Sequence, residues 1–264
     1  MAKLLPLRDT LITNIRHQWY QQSQHEVSKQ EFLAQAQDWF LGTKLNDLQG
    51  VKKFPCVDVI HGCTHFIESL VLKHGWSGLQ VLTQEYAYYG MMGKHGVEPD
   101  QLRPGIPLII SLPSWRWLDL RPDWPDVLRI CEQRSIPIHI DFAWLTAARD
   151  IAIDLDHPCI ESFAMSLSKY AMEWNRVGLR WCRQRGMDSV TIFNHHEQTA
   201  NTALTSAGAW IISQLPRDYG WQVYGARHLE VCKQQAYQPS KIIHVAFDQG
   251  EPVGISDLLI NGTA

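Results

Sequence analysis

The chain is poor in the features that mark several large protein classes. Lys and Arg number 24 against 27 Asp and Glu, for a formal net charge of −3. There is therefore no basic excess of the kind that neutralises nucleic-acid phosphates. No uninterrupted apolar run reaches the roughly 18 residues of a membrane-spanning helix. Arg8 and Asp9 interrupt the first apolar stretch before it can form a signal-peptide core. We expect a protein that binds neither nucleic acid nor a membrane.

Cysteine pairs at metal-binding or redox spacing are also absent. The six cysteines are widely dispersed and never form a Cys-x-x-Cys motif, which argues against a zinc ribbon or a redox pair. We interpret them as reduced thiols of a cytoplasmic protein. The histidines offer two groupings, His195-His196-Glu197 and His61/His65. Adjacent side chains on a helix point in different directions, and the second pair straddles a proposed loop, so we expect no metal site.

What the chain does contain is the composition of an ordinary globular domain, with 45% apolar and 19% charged residues in 264. Short apolar runs alternate with segments of helical spacing, which predicts an α/β fold with a mainly parallel sheet covered by helices on both faces. The predicted strands are 56–60, 79–83, 107–112, 136–141, 159–165, 177–183 and 241–248. The predicted helices include 64–74, 124–134 and 195–214, with helical spacing also within 8–41. We divide the chain into a helical N-terminal segment (1–54), a large domain (55–215) and a C-terminal remainder (216–264).

Special or polar residues follow four of the predicted strands. They are Gly62, Pro113, Asp141 and Lys169. Ligands of such sheets bind beyond the carboxyl ends of the strands. The four positions therefore indicate one shared active-site rim.

The most informative segment is Ser166-Leu167-Ser168-Lys169, which is followed by Arg176. Hydroxyls and an arginine around a lysine suggest an amine that meets an anionic, carbonyl-bearing ligand. Gly62-Cys63-Thr64 ends a strand and opens a helix, whose first N–H groups attract an anion. Each residue alone has a structural interpretation, and Thr64 in particular fits a helix N-cap. Together they describe a phosphate cup around Lys169.

Asp141 ends an apolar strand, where an unpaired carboxylate is costly. One interpretation is that it caps the following helix. The other is that it pairs with the protonated ring nitrogen of a heteroaromatic cofactor and keeps that ring electron-poor. The residues alone leave both open.

In this order, the Gly62, Asp141 and Lys169 motifs resemble the class I/II aminotransferases of the fold-type I pyridoxal-phosphate enzymes, over about residues 55–215. The resemblance implies pyridoxal 5'-phosphate as cofactor, a Schiff base at Lys169, and pairing of Asp141 with the pyridine nitrogen. It also implies an amino-acid donor and acceptor and a homodimer with its site at the two-fold interface. The residues that it assigns to cofactor binding are Asp141, Tyr86, Gly62, Cys63, Thr64, Ser166, Arg176 and Trp144.

Two of these assignments carry alternatives. Tyr86 matches the aromatic residue that stacks on the cofactor ring, with Tyr88 as the second choice and plain packing after a strand as the other interpretation. Trp144 stands where the family has a tyrosine that bonds the cofactor's phenolic oxygen. Leu112 similarly stands where the family has an asparagine, and leucine donates no hydrogen bond.

The substrate clamp is the third departure from the family pattern. The chain has room for only a reduced C-terminal small domain, and no arginine matches the family's carboxylate clamp; the candidates are Arg227, Arg217 and Arg116. Transamination is the leading prediction. The alternatives are another pyridoxal-phosphate reaction, namely decarboxylation, racemisation or β-elimination, and a non-catalytic homologue that binds cofactor or a partner protein.

Overall fold

The computed structural model describes residues 4–22, 26–172, 176–196 and 202–262. Its helices are α1 Thr10–Gln22, α2 Lys29–Leu41, α3 Gly62–His74, α4 Ala87–Met91, α5 Trp124–Gln133, α6 Ser189–Thr191, α7 Thr202–Gln214, α8 Tyr219–Gln235 and α9 Ser256–Asn261. Its strands are β1 Asp47–Gln49, β2 Cys56–Ile60, β3 Leu108–Ser111, β4 Ile138–Asp141, β5 Ala152–Asp154, β6 Ile160–Ser166, β7 Gly178–Cys182, β8 Gln238–Pro239, β9 Val245–Asp248 and β10 Glu251–Gly254.

The main sheet has five strands in the order β2-β7-β6-β4-β3. Strands β3, β4 and β6 are parallel to one another, whereas β7 is antiparallel to both of its neighbours. Strand β2 therefore runs in the same direction as β3, β4 and β6. The prediction of an α/β fold with a mainly parallel sheet is confirmed. Two small sheets, β1-β5 and β10-β9-β8, flank it.

Helices cover both faces of this sheet. Every residue of β3 and of β4 is buried, as expected for strands that have no solvent-facing side. Ile109 joins a cluster with Phe66 of α3, while its neighbour Ile110 joins the larger core that contains Phe40 of α2. Because successive strand residues point to opposite faces, α3 and α2 lie on opposite sides of the sheet.

The N-terminal helices are part of the core. Phe40 of α2 packs edge-on against Trp181 of β7, with ring centroids 6.0 Å apart, and Trp181 stacks on Phe163 at 5.0 Å. Trp210 of α7 donates its indole N–H to the Ile15 carbonyl of α1 at 3.0 Å. These contacts join α2 to the sheet and α1 to α7. The three-part division of the chain stays a prediction.

One predicted strand is wrong. Residues 79–83 form only isolated bridges, Gln80 to Leu108 and Leu82 to Val97. Gln80 also uses its side-chain amide to bind loop carbonyls, including that of Ile106 at 2.7 Å. The segment therefore lies beside β3 as an irregular edge, because each of its bridges ends after one residue.

Two other predicted elements are shorter than expected. The predicted strand 241–248 is regular only over Val245–Asp248. Gln249 and Gly250, both at positive φ, connect it to β10, which begins at Glu251. The predicted helix 195–214 is α-helical from Thr202, preceded by a π-helical turn at Ile192–His196. Residues 197–201 lie outside the described part of the chain.

All six cysteines are free thiols, in agreement with the sequence. Among the described residues, no helix combines the length and the apolar character needed to cross a membrane.

Candidate functional site

A cleft of about 550 Å³, partly open to solvent, lies at the carboxyl ends of the parallel strands. Strands β2, β3, β4 and β6 all end at this edge, and β7 begins there, so five chain segments meet around it. The residues that line it are Cys63, Thr64, Ile67, Tyr86, Ser111, Pro113, Trp115, Asp141, Ala143, Trp144, Ser168, Lys169 and Arg176.

The structure brings together seven of the nine residues that the sequence assigned to this site. Lys169, Asp141, Tyr86, Cys63, Thr64, Arg176 and Trp144 all line the cleft. Gly62 and Ser166 do not line it. They lie directly beneath its wall and are both buried.

The Asp141 carboxylate forms the floor of the cleft and is only 3% exposed. Its Oδ1 accepts the Ala143 N–H at 2.9 Å. Burial raises the pKa of this carboxyl from its usual value of 3.8 to about 6, while the Cys63 thiol, the Ala143 N–H and the Lys169 ammonium oppose the rise. The carboxylate thus lies in a site that favours a hydrogen-bonding or cationic partner.

Cys63 packs beside Asp141 in its thiol form. Burial raises the pKa of this thiol well above its usual range, and the Asp141 charge adds to the rise. The thiol donates to the Ala164 carbonyl at 3.6 Å. Cys63 therefore contributes a neutral donor to the wall rather than a nucleophile.

The start of α3 forms one corner of the cleft, together with Thr64 and Arg176. His61 at the N-cap makes no side-chain hydrogen bond to the first turn of the helix. Arg176 donates from Nη1 to the Thr64 hydroxyl at 2.6 Å. Gly62 has φ +72°, and a Cβ there would lie 3.0 Å from Arg176 Cβ. Glycine thus allows the arginine to pack across the helix N-terminus, where N–H groups and the guanidinium converge on one point.

The sequence assigned Ser166 to the cleft, but it is Ser168 that lines the cleft in the structure. Ser166 is fully buried, and its hydroxyl lies 2.8 Å from that of Ser168. Ser168 is the member of the pair that lines the cleft. Ser166 is the last residue of β6, whereas Ser168 belongs to the 3-10 turn that follows the strand and borders the cleft.

Lys169 also lines the cleft. It ends a short 3-10 turn that directly follows β6. Its Nζ lies 5.7 Å from the centre of the Trp144 ring, within cation–π range. The indole thus packs against the lysine amine.

Tyr86 and Tyr88 stack on each other, with ring centroids 6.0 Å apart, but they differ in their other contacts. Tyr86 lines the cleft and is 40% exposed, whereas the Tyr88 hydroxyl donates to Glu68 at 2.8 Å, and Tyr88 is not part of the cleft wall. Of the two tyrosines, Tyr86 is the one placed to cover a ring bound in the cleft.

Sequence reasoning missed Glu85, a buried carboxyl beneath the cleft. It accepts the Ser111 N–H at 3.1 Å, and Arg121 lies 3.5 Å away. Burial raises its pKa to about 7, against the opposing effects of the Ser111 N–H and Arg121. Its backbone carbonyl also accepts the Trp115 indole N–H at 2.8 Å. The only sequence signal was an acidic residue placed just before Tyr86.

Ser111 and Trp115 were also missed as members of the wall. The Ser111 hydroxyl lies 3.0 Å from that of Tyr89, while its neighbour Leu112 is fully buried. The Ser111 hydroxyl thus lines the turn in which the family has an asparagine and this chain has Leu112.

None of the three candidate clamp arginines lines the cleft. Arg227 pairs with Glu230 and Arg116 with Glu251. Arg217 is buried and donates to backbone carbonyls, including that of Thr146 at 2.8 Å.

Metal ligands do not converge in the part of the chain that the structure describes. No group of three or more His, Cys, Asp or Glu side chains suited to a metal ion occurs there. The rings of His61 and His65 lie 5.4 Å apart. Of the other grouping, His195 binds Asp58 at 2.7 Å, and Glu197 lies outside the described residues.

No family model matches the chain, and no curated protein matches its sequence. Solved structures do match its fold. The PLP-bound C-S lyase of Staphylococcus hominis has a TM-score of 0.62 at 11% identity, covering 89% of this chain and 70% of the lyase. Tyrosine aminotransferase from Leishmania infantum has a TM-score of 0.60 at 12% identity, covering 92% of this chain and 78% of that enzyme.

A double mutant of Thermus thermophilus aspartate aminotransferase gives a similar result. Its TM-score is 0.62 at 12% identity, and the match covers 93% of this chain and 75% of that enzyme. At these identities the likeness concerns the fold. The chain has the aminotransferase-like fold that the sequence motifs predicted.

The raised pKa of Asp141 predicts a pH-dependent stability. The folded state binds this proton more tightly than the unfolded state, so the contribution is fully present below about pH 4 and is lost as the pH rises to about 6. We expect the free energy of unfolding of the cofactor-free protein, relative to Asp141→Asn, to fall by up to about 3 kcal/mol across this window.

Urea denaturation of both proteins at several pH values measures the difference. Asp248→Asn, at an exposed position, is the matched control and should show no such trend relative to the wild type. A constant difference between wild type and Asp141→Asn at every pH would contradict the raised pKa.

Proposed function

We propose that this chain is a pyridoxal-5'-phosphate-dependent aminotransferase that acts on an amino acid or a related amine. The observation that carries the proposal is the convergence, in one cleft, of Lys169, the buried Asp141 and the Thr64–Arg176 corner. Pyridoxal phosphate has an aldehyde, a basic ring nitrogen and a phosphate. The three groups of the cleft match these one by one.

The fit rests on the chemistry of the donor set. The Asp141 carboxylate is buried at the floor, where a ring N–H offsets its desolvation. The Thr64 hydroxyl, the Arg176 guanidinium and the first N–H groups of α3 hold the phosphate, with the Ser168 hydroxyl alongside. The Staphylococcus hominis lyase of the same fold is PLP-bound, which supports the same cofactor here.

When bound, pyridoxal phosphate supplies an electron-poor ring that stabilises negative charge at the substrate Cα. Asp141 keeps the ring nitrogen protonated. Lys169 would provide the amine that holds the cofactor, and its Nζ would take up and return the proton at the substrate Cα. Tyr86 covers the ring from the open side, and Trp144 packs against the lysine amine.

We further propose that the enzyme works as a homodimer in the cytoplasm. The cleft opens to solvent, and a second subunit would supply the elements that close over the substrate. The six free thiols support a reducing compartment.

The first prediction concerns Lys169. After incubation with pyridoxal phosphate and reduction with borohydride, mass spectrometry should find the cofactor fixed on Lys169 in the wild type and absent in Lys169→Ala. Lys52→Ala, at an exposed position, is the control and should behave as the wild type. Labelling spread over surface lysines, with no preference for Lys169, would sink the cofactor assignment.

The second prediction concerns the phosphate corner. Arg176→Leu removes charge-assisted hydrogen bonds worth about 1.5–3 kcal/mol, so the affinity for pyridoxal phosphate should fall about 10- to 100-fold. The affinity for pyridoxal, which has no phosphate, should stay unchanged. Fluorescence titration with both ligands measures this, and Arg129→Leu is the exposed control. Equal losses for the two ligands would place the phosphate elsewhere.

The third prediction separates the possible reactions. The structural neighbours include a C-S lyase as well as aminotransferases, so β-elimination is the second candidate. Transamination should convert the bound cofactor to pyridoxamine phosphate with one keto acid per protein, as measured by chromatography after a single turnover across an amino-acid panel. A lyase would instead release ammonia and a keto acid from cysteine-like substrates and retain pyridoxal phosphate. No product from any amino acid would favour a non-catalytic binder.

A further inference from the structure

Lys169 borders two cavities. It lines the cleft and also a second, smaller pocket, the inner cavity. This inner cavity lies between the lysine segment and the C-terminal part of the chain, and Thr146, Arg217 and His244 contribute to its wall. Lys169 is therefore common to the cleft and to this second pocket.

Most polar groups around the inner cavity have partners within the protein. Arg217 donates to the Thr146 carbonyl at 2.8 Å. Asp218 accepts the Thr43 hydroxyl at 2.7 Å, and the Tyr170 hydroxyl donates to the Pro216 carbonyl. These groups are held by the fold and need no ligand.

His244 is different. It is fully buried, and neither of its ring nitrogens has a hydrogen-bond partner. Burial lowers its pKa to about 3, and the Lys169 charge lowers it further, so the ring is neutral, with one donor and one acceptor nitrogen. The Trp144 ring, which also packs against the lysine amine, lies 5.6 Å from the imidazole.

Two buried polar atoms without partners destabilise the fold, and a phenylalanine of similar shape would avoid that cost. A histidine that served only packing would therefore be a poor choice at this position. The space beside the ring has room for about one water molecule, which would satisfy one of the two nitrogens. Lys169 lines the same space.

We propose that His244 is the positioning residue of Lys169, binding the lysine ammonium through water in the inner cavity and so holding the proton on that amine. The inference rests on the proposed function of Lys169 as the reacting amine. A neutral acceptor behind the lysine stabilises its charged form without competing for its proton. The cofactor would then bind in the cleft, while the group that holds the proton on Lys169 would lie in the inner cavity.

Other charged and titratable groups also face Lys169, and they bound the expected effect. They are Asp141, Cys63, Tyr86 and Arg176 on the cleft side, and Tyr170, Arg217, Asp218 and Tyr219 on the inner side. Substitution of His244 leaves all of them in place. A change in the titration of Lys169 would therefore report on the histidine.

The test measures the reactivity of Lys169 in the cofactor-free protein. Trace acetylation at a series of pH values, quantified by peptide mass spectrometry with Lys52 as the internal reference, gives the titration midpoint of Lys169. We expect His244→Phe to lower this midpoint by about one pH unit, the equivalent of one water-mediated hydrogen bond to a charge. His244→Gln, which keeps an acceptor, should restore most of the shift.

His228→Phe is the matched control, since His228 is also buried but binds the Ile243 carbonyl through Nδ1 and does not line the inner cavity. It should leave the midpoint of Lys169 unchanged. An unchanged midpoint in His244→Phe overturns the proposal, and His244→Leu takes its place in the same test if His244→Phe does not fold. Because no cofactor is present, this result is independent of whether pyridoxal phosphate binds.

Discussion

The buried carboxylate of Asp141 is the constraint around which the site is arranged. This carboxylate is only 3% exposed and has a pKa of about 6, so burying its charge costs free energy. The surrounding fold offers it one backbone N–H, a thiol and the positive charge of Lys169. A ring nitrogen that carries a proton would complete this set. The proposed cofactor therefore follows from the electrostatics of the floor as well as from the lysine above it.

The parallel strands determine where the other groups lie. Because β2, β3, β4 and β6 end at one edge, residues far apart in sequence reach one cleft without a special loop. The antiparallel β7 begins at the same edge and delivers Arg176 to the N-terminus of α3. Gly62 makes this close approach sterically possible. Phosphate binding is thus proposed at a junction that the sheet topology creates.

Much of this arrangement was predictable from local patterns. The apolar runs that became β3, β4 and β6 are short and continuous, and the residues following them were identified from strand ends alone. The predictions that were wrong failed for physical reasons. Residues 79–83 have strand-like composition, but only isolated bridges tie them to their neighbours. Ser166 was assigned to the cleft because the sequence does not show where β6 ends. The strand includes Ser166, and the residues of the lysine segment that line the cleft come after it.

Glu85 and His244 show the limit of sequence reasoning most clearly. Neither belongs to a motif, and each gains its interest from three-dimensional burial beside the site.

The most direct test of the central claim is the electron density around Lys169 in crystals grown with pyridoxal phosphate. We predict continuous density from Nζ to the ring, with the ring nitrogen within about 3.2 Å of Asp141 and the phosphate at Thr64 and Arg176. A lysine without attached density, or a ring nitrogen turned away from Asp141, would contradict the account.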